Sequence, residues 1–281
     1  MLALDIDGTI LDGAGVLRPV VRDAIRHVAA SGVHVILATG RSPWYGIERL
    51  VRDLGLGGPQ IMMQGALIGD PTTGSTQRIR SLWPDVYQEV LWFADELGLD
   101  PVVATLEGHR VTSVPRDVAF VSPGPDPSTV RCLPDLSDLD GERPMRVYLP
   151  TGPASHRSVR VEAMARFLGR AAVVWSDLTG IELIAPGVNK GEAIEWFVRD
   201  LGYDLTQVAA VGDAMNDTEM LRVAGRSAAM GGAPAEVRAA ADIVVPSSEE
   251  DGVLDALAWF YPHLVQVFGR APRAGTVEVP A

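Results

Sequence analysis

Short apolar runs alternate with helical patterns at both ends of this chain, and the alternation stops in the middle. That break constrains the fold more than any other feature. Residues 1–6 form an apolar run ending in acids. Residues 19–31 read as a helix, with proline in the first turn and Gly32 as the stop. Residues 33–38 are β-rich, Ser42-Pro43 suits the cap and first turn of a helix reaching about Leu54, and residues 60–63 look like a third strand. Strand, helix, strand, helix, strand is the rhythm of a parallel sheet with crossover helices. It returns after Asn189, with helices over 190–201, 217–224 and 235–240 and strands over 208–211, 227–230 and 243–245.

Between these halves the texture changes. Apolar segments at 101–106, 109–114, 145–149 and 171–176 accompany only two helical stretches, 84–97 and 154–168. Residues 122–144 are dense in Pro, Gly, Ser and Asp and read as a long loop. The expected fold is therefore α/β: a Rossmann-like parallel-sheet core, discontinuous over 1–66 and 188–268, with an α+β domain inserted at 67–187. Residues 269–281 lack periodicity and read as a loose tail. At 281 residues the chain has room for both domains.

Charge narrows the partners. With 24 Lys+Arg against 36 Asp+Glu the net charge is −12, the wrong sign for a nucleic-acid binder or a polybasic membrane anchor. A single cysteine, Cys132, forms neither an internal disulfide nor a multi-thiolate metal site. No run of roughly 18 apolar residues suggests a membrane span, and the first residues carry acids where a secretory signal needs a basic flank. The expected location is the cytoplasm. Of the 24 cations, only Lys190 is a lysine.

Candidate chemistry gathers at predicted strand ends. Asp5-Ile6-Asp7-Gly8-Thr9 closes the first strand, and in extended backbone two carboxylates two residues apart face the same side. Such a pair can bind a divalent cation or divide nucleophilic and acid/base roles. Thr39-Gly40-Arg41 ends the second strand and opens a helix, an arrangement suited to an anion. Asp213, Asn216 and Asp217 follow a late strand, where the two acids would repel Asp5 and Asp7 unless a cation sat between them. Lys190 opens a helix just upstream. In open α/β sheets ligands bind outside the carboxyl ends of the strands. Acids, hydroxyl and ammonium together have the composition of a Mg²⁺ and phosphate site.

These strings resemble the haloacid dehalogenase superfamily, and within it the Cof-type (subfamily IIB) phosphatases with a C2 cap. The resemblance runs over about residues 2–260. It rests on Leu4-Asp5-Ile6-Asp7-Gly8-Thr9, Ala38-Thr39-Gly40-Arg41, the stretch from Glu182 to Lys190-Gly191, and Gly212-Asp213 through Asn216-Asp217. Ala229-Met230-Gly231 and Glu250-Asp251-Gly252-Val253 add to it. The resemblance implies a Mg²⁺-dependent phosphatase acting on a small phosphorylated metabolite, such as a sugar phosphate, through an aspartyl phosphate. Asp5 would be the nucleophile and Asp7 the acid/base. Thr39, Gly40, Arg41 and Asn216 would bind the phosphoryl group together with Lys190. Mg²⁺ would sit on Asp5, the Asp7 carbonyl and Asp213, with Asp217 behind them.

The chain departs from the family at two places. Gln64-Gly65-Ala66 stands where Asn-Gly-Ala is usual, and Gly231-Gly232-Ala233 where Gly-Asn-Ala is usual. Two other readings share the motifs: a phosphotransferase or phosphomutase passing the same aspartyl phosphate to an alcohol, and a phosphate-ligand sensor without turnover. A carbon–halogen hydrolase is disfavoured, since Asp7 would have no alkoxide to protonate. The tryptophans, with the Trp92-Phe93 pair, read as packing residues. His109, Arg110 and Arg146 fall in the inserted domain, where they read as solvated surface first and as substrate-facing groups second. Glu249-Glu250-Asp251 reads as the start of a helix.

Overall fold

The computed structural model describes residues 1–113, 127–175 and 179–267. In chain order, β1 (Leu2–Leu4) leads to α1 (Pro19–Ala30), β2 (Val35–Leu37), α2 (Ile47–Asp53) and β3 (Gln60–Met62). A hairpin of β4 (Leu67–Asp70) and β5 (Ser75–Ile79) follows. Then come α3 (Pro84–Glu96), β6 (Val102–Thr105), β7 (Gly108–Val111), β8 (Val130–Cys132), β9 (Arg146–Pro150), α4 (Gly152–Arg166), β10 (Ala172–Val174) and β11 (Gly180–Ile184). The chain ends with α5 (Lys190–Leu201), β12 (Ala209–Gly212), α6 (Thr218–Val223), β13 (Arg226–Met230), α7 (Ala235–Arg238), β14 (Ile243–Val245) and α8 (Gly252–Phe260). The expected tail falls outside the described residues, as do parts of the 122–144 loop and of the 171–176 segment.

Two compact units emerge. Among the described residues, the first comprises 1–40, 48–76 and 189–267, and the second 41–47, 77–113, 127–175 and 179–188. The first is built on a parallel five-stranded sheet in the order β14-β13-β12-β1-β2. β1 is completely buried, so it carries a continuous apolar run rather than an alternating one. From β1 the chain moves to β2 on one side and returns as β12 on the other. The β1/β12 boundary is therefore the sheet's topological switch point, where α/β proteins bind ligands. Against the sheet, α1 buries Val21, Ala24, Ile25 and Val28 at helical spacing. Helix α5 is fixed at both ends: the Asn189 side chain accepts from the Glu192 amide, and Gly202 closes it in left-handed backbone. Phe197, Ile194, Met220 and Ile36 share one apolar cluster with β1 and β12.

The second unit is α+β in character, as expected of the insert, but its bounds differ from 67–187: residues 67–76 group with the first unit and 41–47 with the second. Its sheet runs β10-β11-β9-β6-β7-β8 and is antiparallel except for the β7–β8 pair. Helices α3 and α4 cover one core in which Phe93 and Phe167 meet edge to face. Several expectations need correction here. Trp92 points outward at 63% exposure while Phe93 is buried, so only one ring of that pair packs. The helix expected from Ser42 starts at Ile47, because Gly46 adopts left-handed backbone and the Ser42 hydroxyl faces His109. His109, Arg110 and Arg146 are buried rather than solvated. Arg110 pairs with Glu142 at 2.7 Å and Arg146 with Glu182 at 3.0 Å. Among the described residues, no helix is long and apolar enough to cross a membrane.

Candidate active site

Asp5 follows the last residue of β1, and its amide donates to the Val211 carbonyl of β12 at 3.0 Å. It is 5% exposed. Beyond it the chain turns tightly: the Ile6 carbonyl accepts from the amides of Thr9, Ile10 and Leu11. The strand ends at Leu4, so Asp5 and Asp7 lie on the turn that follows rather than on the strand itself. Asp5 is buried and Asp7 is exposed on the turn. Gly8 is demanded twice over. Its φ is +77°, and a Cβ there would lie 2.2 Å from the Asp213 Oδ2.

The cluster forms where three segments meet. Lys190 Nζ donates to Asp5 Oδ1 at 2.5 Å and to Asp217 Oδ1 at 2.6 Å. Oδ2 of Asp217 accepts the backbone amides of Asp213 and Ala214, both at 3.0 Å, so this side chain holds the turn after β12 in place. The Thr9 hydroxyl donates to Asp213 Oδ1 at 3.3 Å. Asp5, Asp213 and Asp217 each bring a carboxylate oxygen within 4.8 Å of the others.

Electrostatics here are unbalanced. Burial, then the Asp217 charge, pushes the Asp5 carboxyl well above its ordinary range, against the pull of Lys190. Burial and Asp217 likewise raise Asp213, to about 7. Burial opposes the Lys190 ammonium, but Asp217 and Asp5 outweigh it and hold its pKa above the ordinary value. Three carboxylates against one ammonium leave a surplus negative charge, which a divalent cation with oxygen ligands would neutralise. The donor set fits Mg²⁺.

Other expected residues fall on the same unit. Thr39 is buried at the end of β2, and its carbonyl accepts from the Gln64 amide at 3.0 Å. Gly40 is pressed against the Gln64 side chain. The Asn216 amide nitrogen donates to Gln64 Oε1 at 2.9 Å. Arg41 is different: it groups with the second unit, and its guanidinium donates to the Tyr45 carbonyl at 3.4 Å. Gln64 was noted in the sequence only as a departure from the family string, and its place beside Asn216 joins residues 152 positions apart.

The family profile described as haloacid dehalogenase-like hydrolase matches residues 2–257. The chain belongs to the haloacid dehalogenase-like hydrolase family. A phosphoglycolate phosphatase of Methanoculleus marisnigri is 29% identical over 94% of this chain and 97% of its own length. A solved haloacid dehalogenase-like hydrolase from Bacteroides thetaiotaomicron superposes with a TM-score of 0.79, at 24% identity over 92% of this chain and 98% of that one. A solved subclass IIB sugar phosphatase gives 0.78 at 21% identity, with 92% and 98% covered. As a member of this hydrolase family the protein is an enzyme of the phosphoric monoester hydrolase class.

Proposed function

We propose that the enzyme hydrolyses a small phosphorylated metabolite with Mg²⁺ through an aspartyl phosphate on Asp5. The observation that carries this reading is the placement of Asp5: buried at the switch point, bonded to Lys190 Nζ at 2.5 Å and clustered with Asp213 and Asp217. A Mg²⁺ ion held by Asp5, Asp213 and the Asp7 carbonyl, with Asp217 behind, would neutralise charge as the phosphoryl group transfers.

An Asp5 carboxylate oxygen attacks phosphorus, and the bond from phosphorus to the substrate oxygen breaks. Asp7, exposed and next along the turn, gives its proton to the departing alkoxide. It then takes a proton from water, which attacks the same phosphorus. The bond to Asp5 breaks, inorganic phosphate leaves and the carboxylate is restored. Lys190, Thr39, Gly40 and Asn216 hold the phosphoryl oxygens, and Arg41 is a further candidate. Sugar phosphates are the first class to screen, since a sugar phosphatase shares the fold at a TM-score of 0.78.

The test is Mg²⁺-dependent phosphate release from a panel of phosphomonoesters that includes an activated aryl phosphate. Turnover of at least one member is expected, together with an acid-stable, hydroxylamine-sensitive phosphoenzyme. Asp5→Asn should lose turnover by about 10⁴-fold or more. No release from any member would sink the reading. Phosphate recovered on an added alcohol rather than in solution would make the enzyme a phosphotransferase.

A further inference from the structure

Gln64 occupies strained backbone. Met63, Gln64 and Gly65 have φ of +48°, +60° and +99° in succession. Glycine adopts this region freely, but an L-residue with a side chain does so only at a cost. Such strain persists where the surroundings hold it, and it concentrates at functional sites. What holds Gln64 is visible. It is 2% exposed, and its amide donates to the Thr39 carbonyl at 3.0 Å. Its Nε2 packs so closely on Gly40 that a Cβ there would lie 2.3 Å away. Its Oε1 accepts from Asn216 Nδ2 at 2.9 Å. One side chain thus spans the turn after β2 and the turn after β12, the two segments assigned to the phosphoryl group.

We propose that Gln64 is a positioning residue that sets the polarity of the Asn216 carboxamide, so that Asn216 offers N–H rather than C=O to a bound phosphoryl oxygen. The inference rests on the phosphate-binding reading above. The two ends of an asparagine side chain are nearly the same shape but opposite in polarity. An anionic oxygen is attracted by one and repelled by the other. Asn216 Oδ1 is buried without a hydrogen-bond partner among the described residues, so that end does nothing to fix the orientation. Gln64 Oε1 does fix it: as an acceptor it takes one Nδ2 hydrogen and leaves the second for the ligand. Gly40 then has a second purpose. Its missing Cβ makes the room in which the Gln64 amide lies.

A double-mutant cycle between Gln64→Leu and Asn216→Ala tests the assignment, read by calorimetric binding of inorganic phosphate with Mg²⁺ and by kcat and KM on an activated aryl phosphate. Gln64→Leu alone should weaken phosphate binding by about tenfold and raise KM in step. In the Asn216→Ala background the same change should cost less than about twofold, because nothing is left to orient. Equal losses in both backgrounds would overturn the proposal, whether they came from direct contact with phosphate or from damage to the fold. Should Gln64→Leu fail to fold, Gln64→Asn serves instead. Asparagine suits left-handed backbone better and is one methylene too short to hold Asn216 in the same way. The same non-additivity is expected from it. A wild-type enzyme that binds phosphate but hydrolyses nothing sinks the phosphatase reading, while the binding cycle still decides the role of Gln64. A wild-type enzyme that binds no phosphate overturns both.

Discussion

The two units bury charge in opposite ways. In the second, each buried arginine has its own acid: Arg110 with Glu142 and Arg146 with Glu182, at 2.7 and 3.0 Å. His109 lies near both guanidiniums, and burial followed by Arg146 and Arg110 lowers its pKa to about 3, so it adds no charge. In the first unit, Asp5, Asp213 and Asp217 surround the one ammonium of Lys190. The charge of these pairs is balanced within the protein. That of the acidic cluster is not, and desolvating surplus charge is costly unless something else supplies the compensation. Imbalance, rather than burial of charge as such, is what the proposed cation would relieve.

Lys190 is the sharpest point at which to break this contrast. Its side chain is 1% exposed and its ammonium bridges Asp5 and Asp217. Lysine is a compact point charge, whereas guanidinium is a wider planar fork. The two short contacts leave the fork little room. Lys190→Ala should therefore lower kcat by about 10²–10³-fold, the scale of removing one stabiliser of transition-state charge. Lys190→Arg keeps the charge and should still lower kcat markedly. Steady-state kinetics on folded variants decide the matter: a near wild-type kcat for Lys190→Arg would remove Lys190 from the catalytic machinery.

The same contrast explains what could be read from the sequence. Helix α5 was legible to the residue, because Asn189, Glu192 and Gly202 are local signals for its start and stop. The parallel core was legible from its rhythm, and Asp5, Lys190, Asp213 and Asp217 from their places at strand and helix ends. The β4–β5 hairpin, β8 and β11 were not, since short strands acquire their identity from partners far along the chain. The buried arginines misled for a related reason: nothing local to Arg146 announces Glu182. Thr9 reaches Asp213 across 204 positions and Gln64 reaches Asn216 across 152. Local physics wrote the scaffold plainly, and the side chains that orient the site appear only when distant turns meet.

The balanced pairs can be tested on their own terms. Arg146→Met leaves Glu182 mostly buried without its partner, and should destabilise the second unit by about 3 kcal/mol. Arg146→Met combined with Glu182→Leu replaces the whole pair with apolar surface, and should return most of that loss. Calorimetric unfolding of the two variants checks both. A double variant no more stable than the single one would mean that the pair is not self-contained, and the contrast between the units would weaken.

The smallest effect expected is the most direct measure of the imbalance. Asp213 ionises at about 7 in the folded protein, raised by burial and by Asp217. A carboxyl raised in this way favours the folded state below its ordinary pKa, and that advantage is lost as pH rises through the folded value. The metal-free enzyme should thus lose thermal stability between about pH 5 and about pH 8 as the cluster becomes fully charged. Surface acids such as Glu89, whose bond to Arg170 lowers its pKa, titrate below this window and do not mask it. Mg²⁺ competes with protons for the same oxygens, so its stabilisation should run the other way. Adding Mg²⁺ should raise Tm by a few degrees more at about pH 8 than at about pH 6. The pH dependence should shrink in Asp213→Ala, which removes both the raised carboxyl and a proposed ligand. An equal Mg²⁺ shift at both pH values in the wild type would place the ion away from Asp213.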